Sequence, residues 1–95
     1  MIRGLLAALA LFFSFATTTS SADDHFLEVL RSRNIVYISP EWAIWDAHQV
    51  CNALQQGATP TQLAQTLMQQ TNLDGYHAGF FVGASIGTYC PQWRL

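Results

Sequence analysis

The chain contains no lysine. Its 4 basic residues are all arginine, they face 6 acidic ones, and charged residues of either sign make up only 11% of the 95. A nucleic-acid surface needs clustered Lys and Arg, so that class is excluded on charge alone. The same shortage leaves no polybasic patch for anionic lipid. Cysteine is scarce as well: Cys51 and Cys90 are the only ones. Neither belongs to a CxxC motif, and no second pair exists to complete a zinc tetrahedron. No HExxH grip, nucleophile elbow, paired catalytic carboxylates or phosphate loop occurs. The longest uncharged apolar stretch falls short of the roughly 20 residues that cross a bilayer.

That stretch, Leu5 to Ala16, is informative in its own right. Arg3 precedes it as a short positive segment, and the small residues Ser14-Phe15-Ala16 and Ser20-Ser21-Ala22 follow. Positive start, short apolar core and small-x-small site together define a secretory signal peptide. The expected boundary follows Ala22, so residues 1–22 are read as the leader and residues 23–95 as one domain, with Thr17 as the alternative start. No cysteine stands near the end of the apolar core, so a lipid-modified N-terminal cysteine is excluded. A chain exported this way meets oxidising conditions, where Cys51 and Cys90 are expected to pair. Such a disulfide suits a domain near the lower size limit for folding on a hydrophobic core alone.

Punctuation divides the remainder into four predicted helices. The first covers about Asp24 to Arg33, capped by Asp23 or Asp24, with Phe26, Leu27 and Leu30 as its apolar stripe. Asn34 suits the left-handed position that ends a helix, with Ile35 beyond it. Val36 to Ile38 form a short extended connector. Ser39-Pro40-Glu41 opens the second helix, whose inner face is Ala43, Ile44, Ala47, Val50, Cys51 and Leu54; Gly57 stops it. Thr59-Pro60-Thr61-Gln62 is a capping box that opens the third, with Leu63, Ala64, Leu67 and Met68 inward. The fourth runs from Asp74 to about Tyr89, where Pro91 ends it. The predicted fold is therefore all-α, a small bundle of about four helices held by one disulfide.

The residues Asp24-x-Phe26-Leu27-x-x-Leu30, Ala43-Ile44, Val50-Cys51-x-x-Leu54-x-x-Gly57, Phe81-Val82 and Tyr89-Cys90-Pro91 resemble the domain of unknown function 732, a family of small secreted or lipid-anchored proteins of mycobacteria and their relatives. The resemblance spans nearly all of residues 24 to 91. It implies a small helical fold with one disulfide and a place in the envelope or outside the cell. It carries no established activity, so no catalytic residue is transferred. Asn34 stands where the family usually has glycine, a change the left-handed position tolerates.

Three further groups are candidates for function. Gly75, Gly79, Gly83 and Gly87 recur every fourth residue of the last helix. Each interior glycine costs up to about 1 kcal/mol relative to alanine. A close-packed seam with the second or first helix is the expected compensation; an apolar ligand groove and a homodimer seam are the alternatives. The aromatics Trp42, Trp45, Tyr76, Phe80, Phe81, Tyr89 and Trp93 are read mainly as core, with Trp42 the one expected to reach the surface. His25, His48 and His77 fall on three different predicted helices, so sequence-local metal binding is not expected. Haem ligation would need His48 to meet His77 or Tyr89 in space, and no cofactor is expected. The expectation is a secreted, non-enzymatic domain that binds a protein or an envelope component, without a membrane span after cleavage. A carrier of lipid or haem is the second reading and a small hydrolase the third.

Overall fold

The computed structural model describes residues 20–94. The expected signal peptide lies outside the described residues except for Ser20, Ser21 and Ala22. Helix α1 spans Ser21–Ser32. It begins earlier than predicted, because Ser20 takes the capping position with extended backbone and its Oγ accepts from the Asp23 N–H at 3.1 Å. Asp23 and Asp24 sit in the first turn, where they complement the helix dipole without capping it. The signal was the spacing Ser20-x-x-Asp23, which places an acid in the first turn behind a capping hydroxyl.

The other boundaries fall where local chemistry places them. Asn34 adopts φ 57°, and the Ile35 N–H donates to Leu30 O at 3.1 Å while Asn34 N–H donates to Arg31 O at 3.0 Å. This double bond pattern closes the C-terminus of α1. Helix α2, Pro40–Gln55, starts on Ser39, whose Oγ accepts from the Trp42 N–H. Gly57 ends it at φ 103°, with Ala58 N–H reaching back to Ala53 O. Helix α3, Pro60–Gln70, carries the full capping box between Thr59 and Gln62. Helix α4, Gly75–Tyr89, is capped by Asp74, and a 3-10 turn at Pro91–Trp93 follows. The described residues contain no strand.

Helix α4 is the axis of the bundle and touches each of the other three helices. Its first half sends Ala78 and Phe81 into a core with Phe26, Leu30, Ile35, Ala43, Ala47 and Leu67. Its second half sends Val82 and Ile86 against Val50 and Leu54, next to the Cys51–Cys90 disulfide, whose Cα atoms are 6.0 Å apart. Ser85, the one buried polar side chain among the described residues, donates its hydroxyl to Phe81 O at 2.8 Å. An α4 hydroxyl bonded within its own helix needs no partner from the core.

Three orientations differ from expectation. Met68 is exposed, because α3 buries only Leu67 fully. Trp45, Tyr76 and Trp93 are exposed rather than core, whereas Trp42 packs its ring against Phe81 at 6.0 Å. The glycine stripe is not an internal seam. A methyl group placed on Gly79 or Gly83 meets nothing within 4 Å, and on Gly75 or Gly87 it makes only ordinary contact with Met68 or Arg94. The other three helices occupy the remaining faces of α4 and leave this one to solvent. Gly79→Ala and Gly83→Ala are therefore each expected to add about 1 kcal/mol of stability, read as a rise of about 5 °C in Tm. Gly83→Leu should leave Tm no lower than wild type; a marked fall would mean that the face is packed after all.

Candidate functional site

An open cleft of about 820 Å³ lies between the α1–α2 connector and the α3–α4 connection. One wall is the connector, with Ile35, Val36, Tyr37 and Ile38, backed by Trp42 at the start of α2. The opposite wall is polar, formed by the end of α3 and the turn into α4, including Gln69, Thr71 and Asn72. Phe81 from α4 lies at the bottom. Burial alternates strictly along the connector: Ile35 is buried, Val36 exposed, Tyr37 half-buried, Ile38 exposed and Ser39 half-buried. An extended chain puts successive side chains on opposite faces, so Ile35 and Tyr37 turn to the core together. Val36 and Ile38 are left 82% exposed each, the most exposed large apolar side chains in the described structure.

The polar wall is held by its own hydrogen bonds. Thr71 Oγ1 donates to Leu67 O at 2.7 Å and accepts from the Leu73 N–H at 3.1 Å. Asp74 Oδ1 accepts from the His77 backbone N–H at 2.8 Å and meets His77 Nδ1 at the same distance. The backbone bond from His77, reinforced by the His77 ring, holds the Asp74 carboxyl below the ordinary carboxylate range. A depressed carboxylate contributes stability above its unfolded pKa and loses it as pH falls through the folded value. The start of α4, and with it this rim, is expected to loosen below about pH 4. Asp74→Ala should flatten the acid limb of Tm against pH; an unchanged limb would mean that the cap contributes nothing.

The titratable groups singled out in the sequence are dispersed. His77 pairs with Asp74 at the cleft rim. His48 lies near the opposite end of α4, its ring 4.3 Å from that of Tyr89. The Tyr89 hydroxyl donates to Asp23 of α1, and burial followed by that bond pushes its pKa well above the ordinary phenol value. Of the haem pairs considered above, His48 and Tyr89 are thus neighbours, while His77 is elsewhere. Their rings pack on one another, and the phenol is committed to a carboxylate. His25 is exposed on α1. No cluster of three or more His, Cys, Asp or Glu that could hold a metal exists among the described residues. A smaller depression between α2 and α3 contains Trp45 and Asp46. Partial burial raises the Asp46 pKa.

The cleft is the feature sequence reasoning missed. Its signal was present in Val36 and Ile38, two β-branched residues at outward positions of an extended segment, where an alternating pattern would ordinarily carry polar side chains.

Helix order, caps and the Cys51–Cys90 link define a small disulfide-linked all-α domain with an open cleft that is apolar on one wall and polar on the other. The chain belongs to the family described as Protein of unknown function (DUF732), which matches residues 22–92. It is 34% identical over 89 residues to an uncharacterized protein of Mycobacterium tuberculosis, covering 92% of this chain and 79% of that one. A second uncharacterized protein, from Mycobacterium bovis, is 34% identical over 88 residues, covering 93% of this chain and 79% of the relative. No solved structure matches it. No helix of the described residues is long and apolar enough to cross a membrane.

Proposed function

We propose that the protein is a secreted, non-enzymatic binding domain that acts at or outside the cell envelope, with the cleft beside Val36–Ile38 as its recognition surface. The observation that carries this reading is the exposure of Val36 and Ile38 on the lip of a cleft whose inner lining is aromatic and aliphatic. Large apolar side chains placed outward beside a concave surface mark a site that is covered in use. A half-open cleft with a polar wall suits an apolar segment of a partner. A carrier of lipid or haem calls for a deeper, more enclosed apolar cavity. The Asp74–His77 pair gives some support to a hydrolase, but the neighbouring Thr71 hydroxyl is already engaged on both sides.

The test is a nuclear magnetic resonance titration of the oxidised domain with three probes: short peptides of alternating leucine and serine, decanoate, and hemin. Saturable shifts with the peptides, confined to the amides of Tyr37, Thr71, Leu73 and His77 and weakened in Trp42→Ala, are expected. Saturable binding of decanoate or hemin without peptide binding would replace this reading with the carrier.

A further inference from the structure

The connector between α1 and α2 is a short extended edge whose backbone is free. Among the described residues, neither backbone nor side chain bonds to the N–H or C=O groups of Val36, Tyr37 and Ile38. The Ile35 N–H, in contrast, is already spent on Leu30 O. From Asn34 to Pro40 the segment carries no charge and is dominated by β-branched and aromatic residues. Natural proteins blunt such edges with short length, proline, lysine, inward charges or a covering element. Here only the short length and Pro40 at its end do so; no charge and no covering element lies on Val36–Ile38 among the described residues.

We propose that this segment pairs with the same segment of a second copy, as an antiparallel two-stranded ribbon centred on Tyr37. The occupant follows from self-complementarity. With Tyr37 on the two-fold axis, Val36 stands opposite Ile38 of the partner subunit, and Ile38 opposite Val36 of the partner subunit. In an antiparallel pair, alternate residues exchange both backbone bonds. Placing Val36 and Ile38 at those positions uses the free groups and asks nothing of the spent Ile35 N–H. The exposed side chains of Val36 and Ile38 then form a four-membered cross-strand cluster of β-branched residues, a favourable pairing. Exposed Arg33 and Glu41 flank the segment at its two ends, and the antiparallel arrangement sets the Arg33 end of each copy beside the Glu41 end of the other. Arg33 already donates to the Tyr76 hydroxyl and lies 4.7 Å over the Phe80 ring, yet its guanidinium has further N–H groups to offer. A two-fold contact of this kind is isologous and closed, so it stops at the dimer. The bend at Ile38 that turns the chain into α2 keeps the ribbon short.

Sedimentation equilibrium of the oxidised protein, together with amide exchange, tests this. A concentration-dependent dimer is expected, in which the Val36 and Ile38 amides become protected and the Tyr37 amide does not. Val36→Lys places a charge at both symmetric positions and should weaken the dimer roughly tenfold or more while leaving the melting curve of the monomer in place. Gln65→Lys, on the exposed face of α3, should leave the dimer intact and controls for added charge. A chain that stays monomeric throughout would overturn the proposal. So would a dimer that ignores Val36→Lys, or one in which the Val36 and Ile38 amides exchange freely.

Discussion

Removal of the disulfide is expected to cost about 4 kcal/mol, the loop-closure value for a link across 39 residues. Domains of this size have a total stability on the order of 4–11 kcal/mol. The Cys51→Ala/Cys90→Ala variant is therefore expected to lose about a third or more of its stability and to melt at a markedly lower temperature than the oxidised protein. The link is well placed for this effect. Cys90 is buried at the end of α4, Cys51 lies on the inner side of α2, and Val50, Leu54, Val82 and Ile86 pack around them. Circular dichroism melts with and without reductant, paired with thiol alkylation, give the measurement. Two alkylatable thiols in the untreated protein, or a double variant that melts like wild type, would contradict the expectation.

The second large effect is at Phe81. Its side chain is fully buried, meets Phe26 edge-on at 5.6 Å and lies against Trp42 at the bottom of the cleft. Phe81→Ala removes ring contacts to two helices at once and should cost about 3–5 kcal/mol by urea denaturation. Phe81→Leu keeps a branched apolar group and should cost visibly less. A loss below about 1 kcal/mol in Phe81→Ala would place the residue outside the core.

Most of the fold was legible because its boundaries are chemical and local. Ser39, Thr59 and Asp74 cap by bonds that reach only three residues onward, and Asn34 and Gly57 end helices through their own backbone angles. The disulfide was legible because the chain offers only one pairing. Facing was harder to read. Periodicity tells which residues share a face of a helix; it does not tell which face the neighbours cover. Met68 and Leu67 are adjacent in sequence, yet only Leu67 reaches the core. The glycine stripe of α4 looked like a seam because glycine permits close approach, but the three packed faces were filled by Ala78, Phe81, Val82 and Ile86 instead. The cleft as a whole was illegible for a related reason, although Val36 and Ile38 marked its lip. Its walls come from segments far apart in sequence, near residues 34–42 and 69–81, and only the packing of α4 brings them together.

Because α4 is the common neighbour of all the other helices, the order in which the chain becomes available matters. Without Gly75–Tyr89, the first three helices keep only the contacts they make with one another, such as Phe26 and Leu30 against Ala43 and Ala47, and Cys51 has no partner. The largest share of the bundle's packing thus depends on its last helix. The same helix supplies Phe81 to one cluster and Ile86 to the other, and its end carries Cys90 to Cys51.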